Sequence, residues 1–180
     1  FQRIITSLIL LFIISISLFY NKYIWLIFLI IVSIVLFIEF NNLSKKIWKK
    51  KKNILITLNL FSLLFLAILI YVSYDLYYSP PTGLLFIILI CIFSDTGGYI
   101  VGNLIGGRKL TKISPNKTIS GSIGSFLMSL LLVPLFYFLF NEKYSNFLDL
   151  ILISIFTSFF CQLGDLFISF LKRKAKLKDT

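Results

Sequence analysis

Six long runs of apolar residues, separated by short polar or basic segments, organise the whole 180-residue chain. They cover about residues 4–20, 23–40, 54–74, 84–105, 119–140 and 147–171. The runs are continuous and do not alternate, which fits helices and not the strands of a membrane barrel. Each approaches the roughly 20 apolar residues that cross a hydrocarbon core as a helix. The pattern therefore predicts an all-α fold: one polytopic membrane domain over residues 1–180, with about six transmembrane helices. The first run carries Arg3 but lacks a small-residue cleavage site, and Tyr20-Asn21-Lys22-Tyr23 leads straight into the next span. It reads as a span and not a leader.

Composition agrees and adds an orientation. The chain is 58% hydrophobic, with a mean hydropathy of +0.96, beyond the apolar share of soluble domains. The net charge of +11 sits at the ends of the apolar runs. Cations placed there anchor the spans and meet phosphates, and no soluble basic domain exists to hold a nucleic acid. With the N-terminus inside, only Lys22 and Lys143 fall outside; the other cations gather at Arg3 and in segments 41–53, 106–118 and 172–180. That satisfies the positive-inside rule. Tyr20, Tyr23, Tyr71, Tyr74, Tyr77, Tyr78, Tyr137 and Tyr144 then line the outer boundary as an aromatic belt. The Lys45–Lys52 run reads as a stop-transfer signal and an anchor for anionic lipid. Cys91 and Cys161, both inside spans, read as small packing residues.

Asp95 and Asp165 stand out because each lies inside an apolar run. A carboxylate at the centre of a bilayer costs about 2.5–3.5 kcal/mol on insertion scales, so an acid there generally has a task. Helix rise puts Asp165 roughly 10 Å before Lys172 and Asp95 roughly 16 Å before Gly106. Both depths fall in the cytoplasmic half, close enough in level to share one cavity. Gly98, Gly102 and Gly106 repeat every four residues, a face that admits another backbone. The loop before the fifth span holds Arg108, Lys109, Ser114, Asn116, Lys117 and Thr118. Thr118 or Ser120 is placed to cap that span, leaving N–H donors that, with Lys117, make a phosphate cradle. There is no histidine, which excludes an imidazole base within these residues but leaves phosphoryl or nucleotidyl transfer open, where the nucleophile is already deprotonated.

At these residues the chain resembles the phosphatidate cytidylyltransferase (CDP-diacylglycerol synthase) family. Ser94-Asp-Thr-Gly-Gly-Tyr99 is similar to its S-D-T-G-A-Y stretch, and Ser114-Pro-Asn-Lys-Thr118 to its S-P-x-K-T loop. Ser169-Phe-Leu-Lys172-Arg173, four residues and then Lys178-Asp179 match the start of S-x-x-K-R-x-x-x-x-K-D. The family usually continues its S-P-x-K-T loop with Trp and then Glu or Gln, where this chain has Ile119-Ser120. The resemblance breaks off at Thr180, before the family's His-Gly-Gly and Asp-Arg elements. A C-terminally truncated site, inactive on its own, is the expectation.

The resemblance implies a nucleotidyltransferase of phospholipid biosynthesis: phosphatidate and CTP give CDP-diacylglycerol and pyrophosphate, with Mg²⁺ required. It implies metal ligation by Asp95, Asp165 and Asp179, with Asp165, Lys172, Arg173 and Asp179 catalytic. Ser114, Asn116, Lys117, Thr118 and Lys178 would bind substrate. The implied setting is a bacterial inner membrane with the site facing the cytoplasm and membrane lipids as neighbours; the oligomeric state stays open, a homodimer included. Two alternatives are a CTP-dependent lipid kinase of the dolichol kinase type and an ion-coupled transporter relaying through Asp95 and Asp165.

Overall fold

The computed structural model describes residues 2–49, 51–77, 81–111, 114, 117–140 and 146–177. Asn116, Lys178 and Asp179 of the expected site lie outside the described residues. Among the described residues six helices follow one another: α1 (Gln2–Tyr20), α2 (Lys22–Ile47), α3 (Lys52–Leu76), α4 (Thr82–Ile105), α5 (Ile119–Phe140) and α6 (Phe147–Lys174). Among the described residues there is no strand, only an isolated antiparallel bridge between Lys109 and Thr118. The fold is all-α. Helices α2 to α6 are each long and apolar enough to cross a membrane, and α1 contributes the shorter apolar stretch Ile9–Tyr20. This is an integral membrane protein.

Helix ends follow local chemistry. The Asn21 side chain accepts from Tyr23 N–H at 3.0 Å and caps α2. α2 runs on past its apolar stretch to Ile47, because no Gly or Pro interrupts Asn41–Lys46. α4 stops where Gly106 and Gly107 take positive φ of 62° and 103°, a conformation that costs glycine little. At the end of α6, Leu177 N–H bonds to the Lys172 carbonyl and Lys176 N–H to that of Arg173, both at 3.0 Å. With Lys176 at φ 55°, this is a Schellman stop built on a non-glycine residue.

The chain divides into two compact units, residues 1–84 and 85–180. In the first, α2 packs against both α1 and α3. It buries Trp25, Leu29 and Ser33 at a spacing of four, one helix face. Asn59 Nδ2 donates to Asn41 Oδ1 at 3.4 Å, tying α3 to α2.

The second unit is built around α5, which runs antiparallel to both α4 and α6. At one end Phe86 and Ile90 of α4, Leu132, Val133 and Phe136 of α5, and Leu150 of α6 form a buried cluster. The rings of Phe86 and Phe136 lie 4.5 Å apart. Lipid is as apolar as leucine, so helices in it are held by close packing and by hydrogen bonds between them. Both are present. Ser94 Oγ meets Ser158 Oγ at 2.9 Å, and Ser154 Oγ donates to the Ser129 carbonyl at 3.0 Å.

Glycines admit the closest approach. A Cβ added at Gly98 would meet Ser125 Oγ, and one at Gly121 would lie 2.8 Å from the Gly98 carbonyl oxygen. The expected glycine face is confirmed for Gly98 and Gly102 and corrected at Gly106. A Cβ there meets nothing within 4 Å, since the residue leaves the helix to terminate it. Gly97, absent from the four-residue repeat, packs instead against Met128 and the Gly124 carbonyl. The interface is therefore a band two residues wide, as a helix crossing at an angle requires.

α4 and α6 run in the same sense, each antiparallel to α5. Their contacts nevertheless pair Cys91 with Cys161, sulfurs 2.9 Å apart, and Ser94 with Ser158. One position advances as the other retreats, so the two helices cross and do not run side by side.

Candidate active site

Past this crossing lies a polar cavity of about 290 Å³. α4 contributes Asp95, Tyr99 and Asn103; the loop contributes Ser114 and Lys117; α5 contributes Ser122 and Ser125; α6 contributes Gln162 and Asp165. The two acids from separate spans do share one cavity, as their depths suggested. Asp95 is near enough to Asp165 and Lys117 for both charges to act on it.

The loop's own hydrogen bonds set its shape. Leu110 N–H donates to the Lys117 carbonyl at 2.8 Å and Ile119 N–H to that of Arg108 at 3.0 Å. Lys117 N–H donates to the Ser114 carbonyl at 3.2 Å, and Ser114 N–H to Thr111 Oγ1 at 3.2 Å. This folded hairpin brings Lys117 back over the cavity, where its Nζ pairs with Asp165 Oδ2 at 2.8 Å. Ser120 Oγ donates to the Gly106 carbonyl, binding the start of α5 to the end of α4.

Thr118 is the cap of α5: its Oγ1 accepts from Gly121 N–H at 3.1 Å and lies 3.0 Å from Ser120 Oγ. This narrows the expected cradle. Of the donors at the start of α5, Gly121 N–H is taken by Thr118 and Ile119 N–H by Arg108. The Lys117 ammonium then stands as the charged donor that the cavity wall offers an anion.

Of the expected site residues, Asp95, Asp165, Ser114, Lys117 and Thr118 come together. Lys172 and Arg173 occupy the last turn of α6 and are not in the cavity wall. Tyr99, Asn103, Ser122, Ser125 and Gln162 line the cavity without having been singled out. Gln162 accepts from Ser122 Oγ through Oε1, joining α6 to α5 one turn from Asp165. Its only signal in the sequence is a carboxamide inside an apolar run.

Among the described residues no three of His, Cys, Asp and Glu gather into a metal-binding group. The two carboxylates still fit Mg²⁺. That ion keeps several waters, takes one or two carboxylates and completes its shell with substrate phosphates, without an all-protein cage.

Fold and cavity thus define a membrane protein with two acids and a lysine gathered at one polar site. The profile of the Cytidylyltransferase family matches residues 42–180, and the chain belongs to that family. It is 47% identical over 98 residues to a phosphatidate cytidylyltransferase of Staphylococcus epidermidis, a match covering 54% of this chain and 37% of that protein. The Bacillus subtilis protein of the same name is 41% identical over 102 residues, 54% of this chain and 38% of its own length. A third, from Staphylococcus saprophyticus, is 42% identical over 109 residues, 58% of this chain and 42% of the relative. The match thus spans well under half the length of these curated relatives. No solved structure matches the chain.

Proposed function

We propose that this chain carries part of the active site of a phosphatidate cytidylyltransferase, which transfers CMP from CTP to phosphatidate. A phosphate oxygen of phosphatidate attacks the α-phosphorus of CTP. The new P–O bond gives CDP-diacylglycerol, and the bond between the α-phosphorus and its bridging oxygen breaks to release pyrophosphate. The observation that carries this reading is the meeting of Asp95, Asp165 and Lys117, from two spans and a loop, in one polar cavity.

Both substrates are anions, so the work of the site is to bring negative charges together. Asp95 and Asp165 would hold Mg²⁺, joined by Asp179 from beyond the described residues. When bound, the ion supplies Lewis-acid neutralisation of phosphate oxygens. Lys117 neutralises a phosphate, Ser114 offers it a hydroxyl, and Asn116 and Lys178 extend the substrate site. Lys172 and Arg173 would act on the leaving pyrophosphate from the end of α6. With that end at the cytoplasmic face of a bacterial inner membrane, the lipid headgroup and soluble CTP reach the cavity together.

The test is transfer of label by the full-length protein in mixed micelles. Label from α-³²P-CTP is expected in the lipid product, with pyrophosphate released. Label arriving from the γ-position would overturn the reading in favour of a kinase. Asp165→Asn is expected to lower turnover at least about a hundredfold, and near-normal Mg²⁺-dependent turnover would remove that residue from the site.

A further inference from the structure

The Lys117 ammonium stands 2.8 Å from Asp165 Oδ2, so it already holds one of the two oxygens, and the charge, that a cation would take. Its backbone is held by hydrogen bonds on both sides, through Leu110 and Ser114. The pair is only part-buried, Lys117 being 32% exposed and Asp165 54%. The four-carbon stem of a lysine can therefore swing its charge through the cavity while the loop stays in place.

We propose that Lys117 is an internal counter-ion: a divalent cation must displace it from Asp165, and the displaced ammonium then meets a phosphate in the same cavity. This rests on the reading of Asp165 as a metal ligand. Charge alone requires the coupling. Asp95, Asp165 and Lys117 sum to one negative charge, so a divalent ion leaves the cavity net positive, and only an anion relieves it. Metal and phosphate then strengthen one another, and by linkage the effect is reciprocal. Removing Lys117 should act with opposite sign on the two ligands, tightening the metal and weakening the phosphate. A lysine that merely braced the loop would, on removal, weaken both.

The experiment measures Mn²⁺ binding to the full chain in detergent micelles, from the spectrum of the free ion and without nucleotide. Lys117→Met is expected to bind Mn²⁺ roughly fivefold more tightly, the size of a part-exposed ion pair. Lys117→Arg, which keeps the charge, should bind as the wild type does. Inorganic pyrophosphate should bind the Mn²⁺-loaded Lys117→Met protein more weakly than the loaded wild type. Unchanged or weaker Mn²⁺ binding by Lys117→Met, with Asp165→Asn clearly weakened, overturns the competition and leaves Asp165 a ligand. Unchanged binding by Asp165→Asn removes the ligand and the proposal with it. A second measurement needs no variant: acylation of Lys117 by an amine reagent, read by mass spectrometry, should rise as Mn²⁺ is added to the wild type. No change, or protection, counts against the displacement.

Discussion

Replacing Gly121 by alanine probes the contact on which the cavity's shape depends. The added Cβ would stand 2.8 Å from the Gly98 carbonyl oxygen, where ordinary contact begins at 3.4 Å, so the α4 backbone must retreat by about 0.6 Å. It would also press on Thr118 Oγ1 at 3.1 Å and on Gly102 Cα at 3.3 Å. None of these is the far end of a flexible side chain. Overpacking of this kind costs about 2 kcal/mol. Alanine also favours a helix over glycine by about 1 kcal/mol, which offsets part of that cost. Gly164→Ala isolates the difference, because a Cβ there meets nothing within 4 Å and keeps only the gain. The two variants should thus differ by about 2 kcal/mol, or about 4–8 °C in melting temperature for a chain of this size. Thermal unfolding in detergent, followed by the loss of helical circular dichroism, reads it. Equal melting of the two variants, or the higher value for Gly121→Ala, would refute the close approach of α4 and α5. Gly121 also borders the cavity, so in the full-length protein the same variant should lose transfer activity at temperatures where it remains folded.

Lys176 takes the left-handed position of the stop at the end of α6, so Lys176→Gly should stabilise by about 0.5–1 kcal/mol and raise the melting temperature by about 1–4 °C. The buried pair Ser94 and Ser158 should show a coupling of about 0.6 kcal/mol in a double-alanine cycle, and additive losses would mean that the hydroxyls do not bond. Ser122→Ala removes the hydroxyl that donates to Gln162 Oε1 and leaves the carboxamide only its 3.5 Å bond to the Ser122 carbonyl; in the full-length protein transfer should fall severalfold, with part of the loss in the KM for CTP, and unchanged kinetics would leave that contact without a part in the site. Chelating divalent ions should abolish transfer, and excess Mg²⁺ should restore it.

Much of the candidate site is legible in the sequence. Asp95 and Asp165 declare themselves because an acid in an apolar run is costly wherever the chain folds. Lys117 and Ser114 stand in a polar loop between two spans, which limits where they can lie. Gln162 and Ser122 could not be recognised this way: a serine or a carboxamide inside a span is cheap enough to be packing, and only its neighbour reveals a role. Thr118 lies between the two cases. Its place just before a span marked it as a cap, and it is one, yet only the structure shows that the same hydroxyl also lines the cavity.

Hydrophobic run length determined the helical membrane architecture, because water and lipid impose it on each segment separately. The pairing of one segment with another is not written so locally. Only the tertiary structure decided that α4 and α6 cross at Ser94 and Ser158, that the glycine band includes Gly97 and releases Gly106, and that Lys117 reaches Asp165. Each of those outcomes depends on which backbones can approach within a few ångströms, and that is a property of two surfaces at once.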